Sequence, residues 1–459
     1  MTDPKPQLEV QIAEWSGYLR RRPAVSGPDV DELEGHLRDQ VEDLRHAGLS
    51  DDEAFLVAIK RIGSIDRVSR EYAREHSDRL WKQLTADESA SVSQRRARML
   101  AVAGIALGAA IAVKLPALFG VTPGNDPGFY ALNIGLLVLP FLAAYVVWSR
   151  RPAMRIVVVV AAAFAGTALV LNLYPFAADG MTMILAAGHA LVVLWLGVGL
   201  VSAGSSWRSD NARMDFIRFT GEWFVYFVLI ALGGAVLVGL TMAVFAAVGV
   251  DASIAVLEWL VPCGAAGAVV VAAALVDAKQ SVIENIAPVL TRLFTPLFTA
   301  MLLALIVAAI VQWNLVDAGD DVSFLGSRDL LIIFDVVLVV VLALLLYSLS
   351  ARDPNRPAGW FERLQLVMVT SALVVDAIVL IAMLARIGAF GFSANKVASL
   401  GLNLLLLVNL AWSAWLLLRI VRRKVAPAHL ERWQTGYLPV YLVWAVIVVV
   451  AFPPLFGFV

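Results

Sequence analysis

Between Leu330 and Leu349 the chain reads LLIIFDVVLVVVLALLLYSL, an apolar run whose one charged side chain is Asp335. As a helix rising 1.5 Å per residue, a run of that length covers ~30 Å, the thickness of a bilayer's hydrocarbon core. The same criterion, carried outward, finds eleven spans: about 99–119, 129–148, 156–174, 181–203, 217–248, 254–276, 293–313, 329–349, 362–385, 397–420 and 438–456. Composition agrees with membrane residence. Of 459 residues, 60% are hydrophobic and only 16% charged, where an ordinary soluble domain is about 25% charged. A mean hydropathy of +0.79 would force a soluble chain to expose apolar surface to water. The fold class read from sequence is therefore all-α: a polytopic transmembrane helical bundle of about 11 spans over residues 99–459, with a small N-terminal cytoplasmic helical domain.

The first apolar run begins near Met99 after a long polar stretch, so no cleavable signal peptide is expected and that run is a retained anchor. The single cysteine, Cys263, excludes an intrachain disulfide and a cysteine metal cluster, and its apolar setting reads as a buried thiol.

Charge divides the chain further. Residues 1–94 hold 13 Lys/Arg against 19 Asp/Glu, and the remainder carries 23 against 18, so the overall net charge of −1 hides an acidic head and a basic membrane part. With the N-terminus in the cytoplasm, alternating spans leave 19 cations on inner connections, among them Arg95, Arg150, Arg213, Arg352 and Arg422. The outer connections keep three, Arg328, Arg386 and Lys396. By the positive-inside rule this fixes the expected orientation: N-terminus cytoplasmic, C-terminus extracytoplasmic, in a bacterial inner membrane. Trp148, Trp207, Trp223, Trp360 and Trp433 near inner boundaries, and Trp313 near an outer one, read as an aromatic belt.

Residues 1–84 read as a helical domain, joined by a linker at 85–98 whose basic end meets the membrane. Leu8, Ile12, Trp15 and Leu19 recur at helical spacing, as do Val30, Leu33, Leu37, Val41 and Leu44. Pro28 suits a first helical turn and Gly48 a helix end. Ser50-Asp51-Asp52-Glu53 reads as a capping box opening a third helix faced by Phe55, Leu56, Ile59 and Ile62. Ile65, Val68, Tyr72 and Leu80 suggest a fourth. His36, His46 and His76 read as solvated surface histidines. The run Asp31–Leu44, then Ala47–Phe55, then Arg61–Ser64, resembles the permease-prefix (HAAS-type) domain. That resemblance implies a cytoplasmic module with a regulatory or interaction role, acting on a protein partner or a second copy through residues 1–84, and it brings no catalytic residues. Its acidic helices also suit electrostatic docking on basic inner loops.

A second resemblance, over residues 220–425, rests on the segment from Asn285 and on Arg386-Ile387-Gly388 with Gly391–Val397. These are similar to a bacterial membrane family known only as a domain of unknown function, and no chemistry comes with it. Overlapping the start of the first of these segments, Asp277–Arg292 places Val282, Ile283, Ile286 and Leu290 at helical spacing and reads as an interfacial helix that Pro288 and Pro296 allow to bend.

Ionisable groups inside a span cost ~2.5–3.5 kcal/mol near its centre and need a partner, a cavity or a short path to water. On these boundaries Lys114, His189, Asp335, Asp376 and Asn403, from five different spans, share the outer half of the membrane. Asp335 falls ~9 Å from the outer start of its span, and His189 and Asp376 ~12–14 Å from theirs. They form a candidate intramembrane polar cluster, with three readings open: a buried ion pair of Lys114 with Asp335 or Asp376 that fixes packing, a solute- or proton-handling site, or separate snorkelling groups. Asn172, Asn409, Glu222 and Glu258 are further polar groups in spans, and Gly104 with Gly108 makes a GxxxG pair. The outer acidic residues Asp317, Asp320 and Asp321 read as a solvated loop.

No phosphate-binding loop, HExxH helix or GxSxG turn occurs. The sequence thus calls for no enzyme, no cofactor and no metal, and thinly spread cations suit lipid headgroups better than nucleic acid. Expected partners are the bilayer and a protein bound by the head domain, with any small-molecule substrate unknown. The function so read is a sensor, regulatory or accessory membrane component. The alternative is a secondary transporter or permease with its site in the outer-half polar layer.

Overall fold

The structure is a computed structural model describing residues 5–20, 27–62, 88–178, 180–278, 286–316, 328–352 and 359–459. The described residues contain helices and turns without a strand. The chain divides into two compact units, Met1–Met99 and Leu100–Val459.

In the first unit, helices α1 (Lys5–Arg20), α2 (Gly27–His46) and α3 (Asp51–Ile62) enclose a core of Leu8, Ile12, Trp15, Leu37, Val41 and Phe55 with their neighbours. Arg38 stitches α1 to α2, donating to Glu9 at 2.8 and 3.0 Å and to Glu34 at 3.0 Å. Helix α2 ends at Gly48, whose φ of +96° favours glycine. Leu49 N–H reaches back to the Leu44 carbonyl at 3.2 Å and Gly48 N–H to Arg45 at 2.9 Å, the bond pair of a Schellman end. At the start of α3 half of the expected capping box forms. Ser50 N–H donates to Glu53 Oε2 at 3.0 Å, while the Ser50 hydroxyl donates to the same oxygen at 2.7 Å instead of accepting from backbone. His36 and His46 are exposed on α2. His76 and the expected fourth helix lie outside the described residues.

The membrane part is built of α4 (Glu88–Lys114), α5 (Pro127–Arg150), α6 (Met154–Leu173), α7 (Met181–Ala203), α8 (Asp210–Ala247), α9 (Val261–Ala278), α10 (Ile286–Val316), α11 (Arg328–Ser350), α12 (Trp360–Phe390), α13 (Ala394–Val421) and α14 (Ala428–Val450). Among the described residues, eleven stretches are long and apolar enough to cross a membrane. The chain is a multi-pass membrane protein in contact with lipid. Residues 88–98, within the expected linker, are the first turns of α4. Its far end stops at Lys114 because Pro116, lacking an N–H, passes the chain into a short 3-10 turn, Leu115–Phe119. Ahead of α9, Ile254–Leu260 is wound as a wide π turn running up to Pro262. Helix α10 begins at Ile286 and runs through Pro296 without ending, so the described part of the expected interfacial stretch is helix continuous with its span.

Two large apolar cores and two smaller clusters pack this unit among the described residues. One joins α4, α5, α6, α7 and α9 around Leu142, Tyr145, Leu194 and Val270. The other joins α10 to α14 around Leu302, Leu338, Met368, Leu406 and Leu410. Helix α8 contributes Phe216 and Phe219 to the first and Met214 and Ile217 to the second. At the end of the bundle where α7, α11 and α13 start and α12 stops, the C-terminus is pinned. Ala177 N–H donates to Phe458 O at 2.9 Å and Thr182 N–H to Val459 O at 3.1 Å.

Candidate functional site

That end carries a cavity of about 290 Å³. Its wall is made by Leu185 and His189 of α7, Ile332 and Asp335 of α11, Met383 and Arg386 of α12, and Asn395, Lys396, Ala398 and Ser399 of α13. The local sequence explains the convergence. Helix α12 runs through the expected loop residue Arg386 as far as Phe390, since nothing breaks it before Gly391, whose φ of +72° stops it. Arg386 is thus held on a helix beside the cavity. After Phe392 and Ser393 the chain re-enters α13, so Lys396 sits in the first turn. Its Nζ donates to Gly391 O at 2.8 Å.

Asp335 is the best-held group in this wall. Ser399 Oγ donates to its Oδ2 at 2.7 Å and Asn403 Nδ2 to its Oδ1 at 2.9 Å. Ser399 and Asn403 are one helical turn apart, so α13 presents both donors from one face. His189 Nδ1 lies 2.9 Å from the Leu185 carbonyl in its own helix. A carbonyl only accepts, so Nδ1 carries the hydrogen and the neutral ring keeps Nε2 as an acceptor.

Behind this wall Asp376 is 0% exposed. Neither of its oxygens has a hydrogen-bond partner among the described residues, and Asn403 Oδ1 is likewise unpartnered. Asp335 and Asp376 interact electrostatically. At greater depth along α13 a fully bonded network takes over. Asn409 and Gln434 pair through both amide groups at 2.9 and 3.2 Å, and Gln434 Nε2 also donates to Ser413 Oγ at 2.7 Å.

Of the five residues grouped from sequence, His189 and Asp335 share the cavity wall, Asn403 binds Asp335, and Asp376 is buried without a hydrogen bond among the described residues. Lys114 is set elsewhere. It is 8% exposed, and its ammonium lies over the Trp259 ring at 4.7 Å from the centroid, a cation–π contact. No ion pair joins it to either aspartate among the described residues. The cations at the cavity are instead Arg386 and Lys396, which counting by connection had put in loops. Ser399 also went unnoticed, although its spacing of four from Asn403 was a usable signal.

Of the remaining polar residues of the spans, Asn172 and Asn409 are paired with other amides. Asn172 pairs with Asn133 through both amides at 2.8 and 3.1 Å. Trp223 and Trp433, expected in an aromatic belt, donate to the carbonyls of Val269 and Asn409 at 2.9 and 3.2 Å. Trp148, Trp207 and Trp360 are exposed. Cys263 Sγ rests 3.6 Å from Ala110 O, Gly104 faces open space, and Gly108 packs on the Phe141 ring. The acidic loop of Asp317, Asp320 and Asp321 and the Trp313 side chain lie outside the described residues. Against known families, curated proteins and solved structures alike, the chain finds no match.

Proposed function

We propose that the chain is a secondary transporter or permease in a bacterial inner membrane, and that the cavity between α7, α11, α12 and α13 receives a small cationic or zwitterionic solute. The observation that carries this reading is Asp335, a carboxylate on the cavity wall whose two oxygens are each fixed by a donor from α13. A group kept that way in a membrane span is set up to meet positive charge, since desolvating an ionised carboxylate otherwise costs several kcal/mol. Lys396, whose ammonium has donors beyond the one bonded to Gly391 O, gives the same cavity a place for a negative group, which suits a zwitterion. The excess of cations on one set of connections supports an inward-facing N-terminus, with this cavity on the opposite side.

The test uses the single cysteine to advantage. In a Cys263→Ala background, Ala398→Cys places a thiol on the cavity wall. A positively charged methanethiosulfonate should label it faster than a negatively charged one, and Asp335→Asn should abolish the preference. Equal rates in the presence of Asp335 would sink the reading.

The packed three-helix head, with its own core, and the resemblance of residues 8–80 to a permease-prefix domain support a regulatory part for the first unit. It would bind a protein partner or a second copy. Removing residues 1–84 should leave labelling at Ala398→Cys unchanged while altering association with that partner.

A further inference from the structure

Among the described residues, three acceptor atoms near the cavity have no donor: both oxygens of Asp376 and Oδ1 of Asn403. Both residues are 0% exposed. Each deficit is of the same kind, an acceptor lacking a hydrogen. An ionised Asp376 would be a buried carboxylate with neither counter-charge nor donor, the most costly state available to it. Among the described residues, no hydrogen bond from the elements packed against it reaches its carboxyl. Helix α12 itself has Glu362 and Arg363 at its start and Arg386 at its end, and α13 has Lys396 and Arg419 at its two ends. Helix α10 has Arg292 in its first turns, and α11 has Arg328 and Asp329 at its start and Asp335 and Tyr347 further along. Asp335 is the group whose charge reaches Asp376, and its sign is the same.

We propose that Asp376 is a proton-binding site whose occupancy is coupled to positive charge at Asp335, so that a cation entering the cavity expels the proton. The inference rests on the solute-site reading for its physiological cation, but not for the proton site itself. Two carboxylates in one poorly solvated layer resist ionising together, so while Asp335 is negative Asp376 holds its proton. A cation beside Asp335 cancels that negative charge. The O–H bond of Asp376 then breaks, its electron pair stays on the carboxylate and the proton passes to solvent. When the cation leaves, Asp376 takes a proton back. One positive charge therefore replaces another in the site, and no further reactant is needed.

The test is infrared spectroscopy of the purified full-length chain in lipid, reading the carbonyl stretch of a protonated carboxylic acid in H₂O and D₂O. At neutral pH the wild type should show such a band, absent in Asp376→Asn and displaced in Asp376→Glu. The glutamate variant covers the case in which the asparagine variant does not fold. Asp335→Asn, which removes the charge permanently, should make the band disappear at a pH lower by about one unit or more, a tenfold loss of proton affinity. Ethylammonium, the probe cation, should shift the wild-type titration in the same direction and leave Asp335→Asn unmoved. No band at neutral pH, or a band whose titration ignores Asp335→Asn, overturns the proposal. If ethylammonium alone has no effect while the band and its response to Asp335→Asn persist, the proton site stands and the cationic-solute reading of the cavity fails.

Discussion

Replacing Asn403 by alanine removes the donor at 2.9 Å from Asp335 and leaves a buried carboxylate oxygen unmatched. A hydrogen bond to a charged group contributes ~1.5–3 kcal/mol, against ~0.5–1.5 kcal/mol for a neutral pair. Truncation also deletes the unpartnered Oδ1, which returns part of the loss, and opens a small void, which adds to it. The single substitution is therefore a poor measure of the bond, and a double-mutant cycle with Asp335→Leu isolates it. The expected coupling is ~1.5–3 kcal/mol if Asp335 is ionised, up to roughly a hundredfold in the unfolding equilibrium. The assay is reversible detergent unfolding followed by tryptophan fluorescence, with 13 tryptophans as reporters. Ser399→Ala, run through the same cycle, should give a smaller coupling. Ser399 is only half-buried, so water in the cavity can replace its hydroxyl. A coupling below ~0.5 kcal/mol for Asn403, within ordinary additivity, would refute the claim that α13 holds Asp335. A value near ~1 kcal/mol would instead report a neutral acid at that position.

Gly401 packs against the Trp444 ring so closely that an added Cβ would overlap it. Gly401→Ala should cost ~1–3 kcal/mol by overpacking, seen as a lower unfolding midpoint in the same assay, whereas Gly388→Ala, with open space around it, should cost far less. Asn172→Leu should destabilise by ~1–2 kcal/mol because it strips a partner from buried Asn133, and the double variant Asn133→Leu/Asn172→Leu should recover part of that loss. In the head unit, hydrogen bonds from the Ser50 hydroxyl and N–H hold the Glu53 carboxyl below the usual carboxylate range. A lowered folded-state value means the stabilisation is present above the unfolded value, ~4.3, and disappears as pH falls through the folded one. Head-unit stability followed by amide hydrogen exchange should thus drop on acidification, with a shallower drop in Ser50→Ala. A slope unaltered by that change would show the bonds to be absent in solution.

The spans were legible because an apolar run of bilayer length has few alternatives, and helix existence needs nothing beyond that. Helix ends were less so. Arg386 was taken for a connection because hydropathy falls there, yet helicity is a backbone property and continues until Gly391 adopts a positive φ. The same gap hid Gln434, which counting placed before its span and which α14 carries into a buried pair with Asn409. The five-residue layer shows a second limit. Sequence gives a residue's depth, from its distance to the end of its helix. It does not give the azimuth, because the order of helices around the bundle is set by packing between distant segments. Asp335 and Asn403 agree in depth and meet; Lys114 joins the layer by depth and sits over Trp259 with α4.

The cations that line the cavity follow from the charge count that misplaced them. Nineteen basic residues fall on one set of connections and three on the other, a bias that topology alone explains. A cation on the sparse side runs against that bias, and two of the three, Arg386 and Lys396, line one cavity with Asp335 and His189. If they were leftovers of a leaky rule, nothing would favour their sharing a wall with the acid that α13 holds in place. Their coincidence there is better explained by a requirement of the cavity, namely that it present both signs of charge to what enters. On that account Lys396→Gln should slow labelling of Ala398→Cys by the anionic reagent and speed it by the cationic one, while Lys424→Gln, on the crowded set of connections, should do neither. Equal effects from the two substitutions would return Lys396 to the status of an ordinary boundary residue.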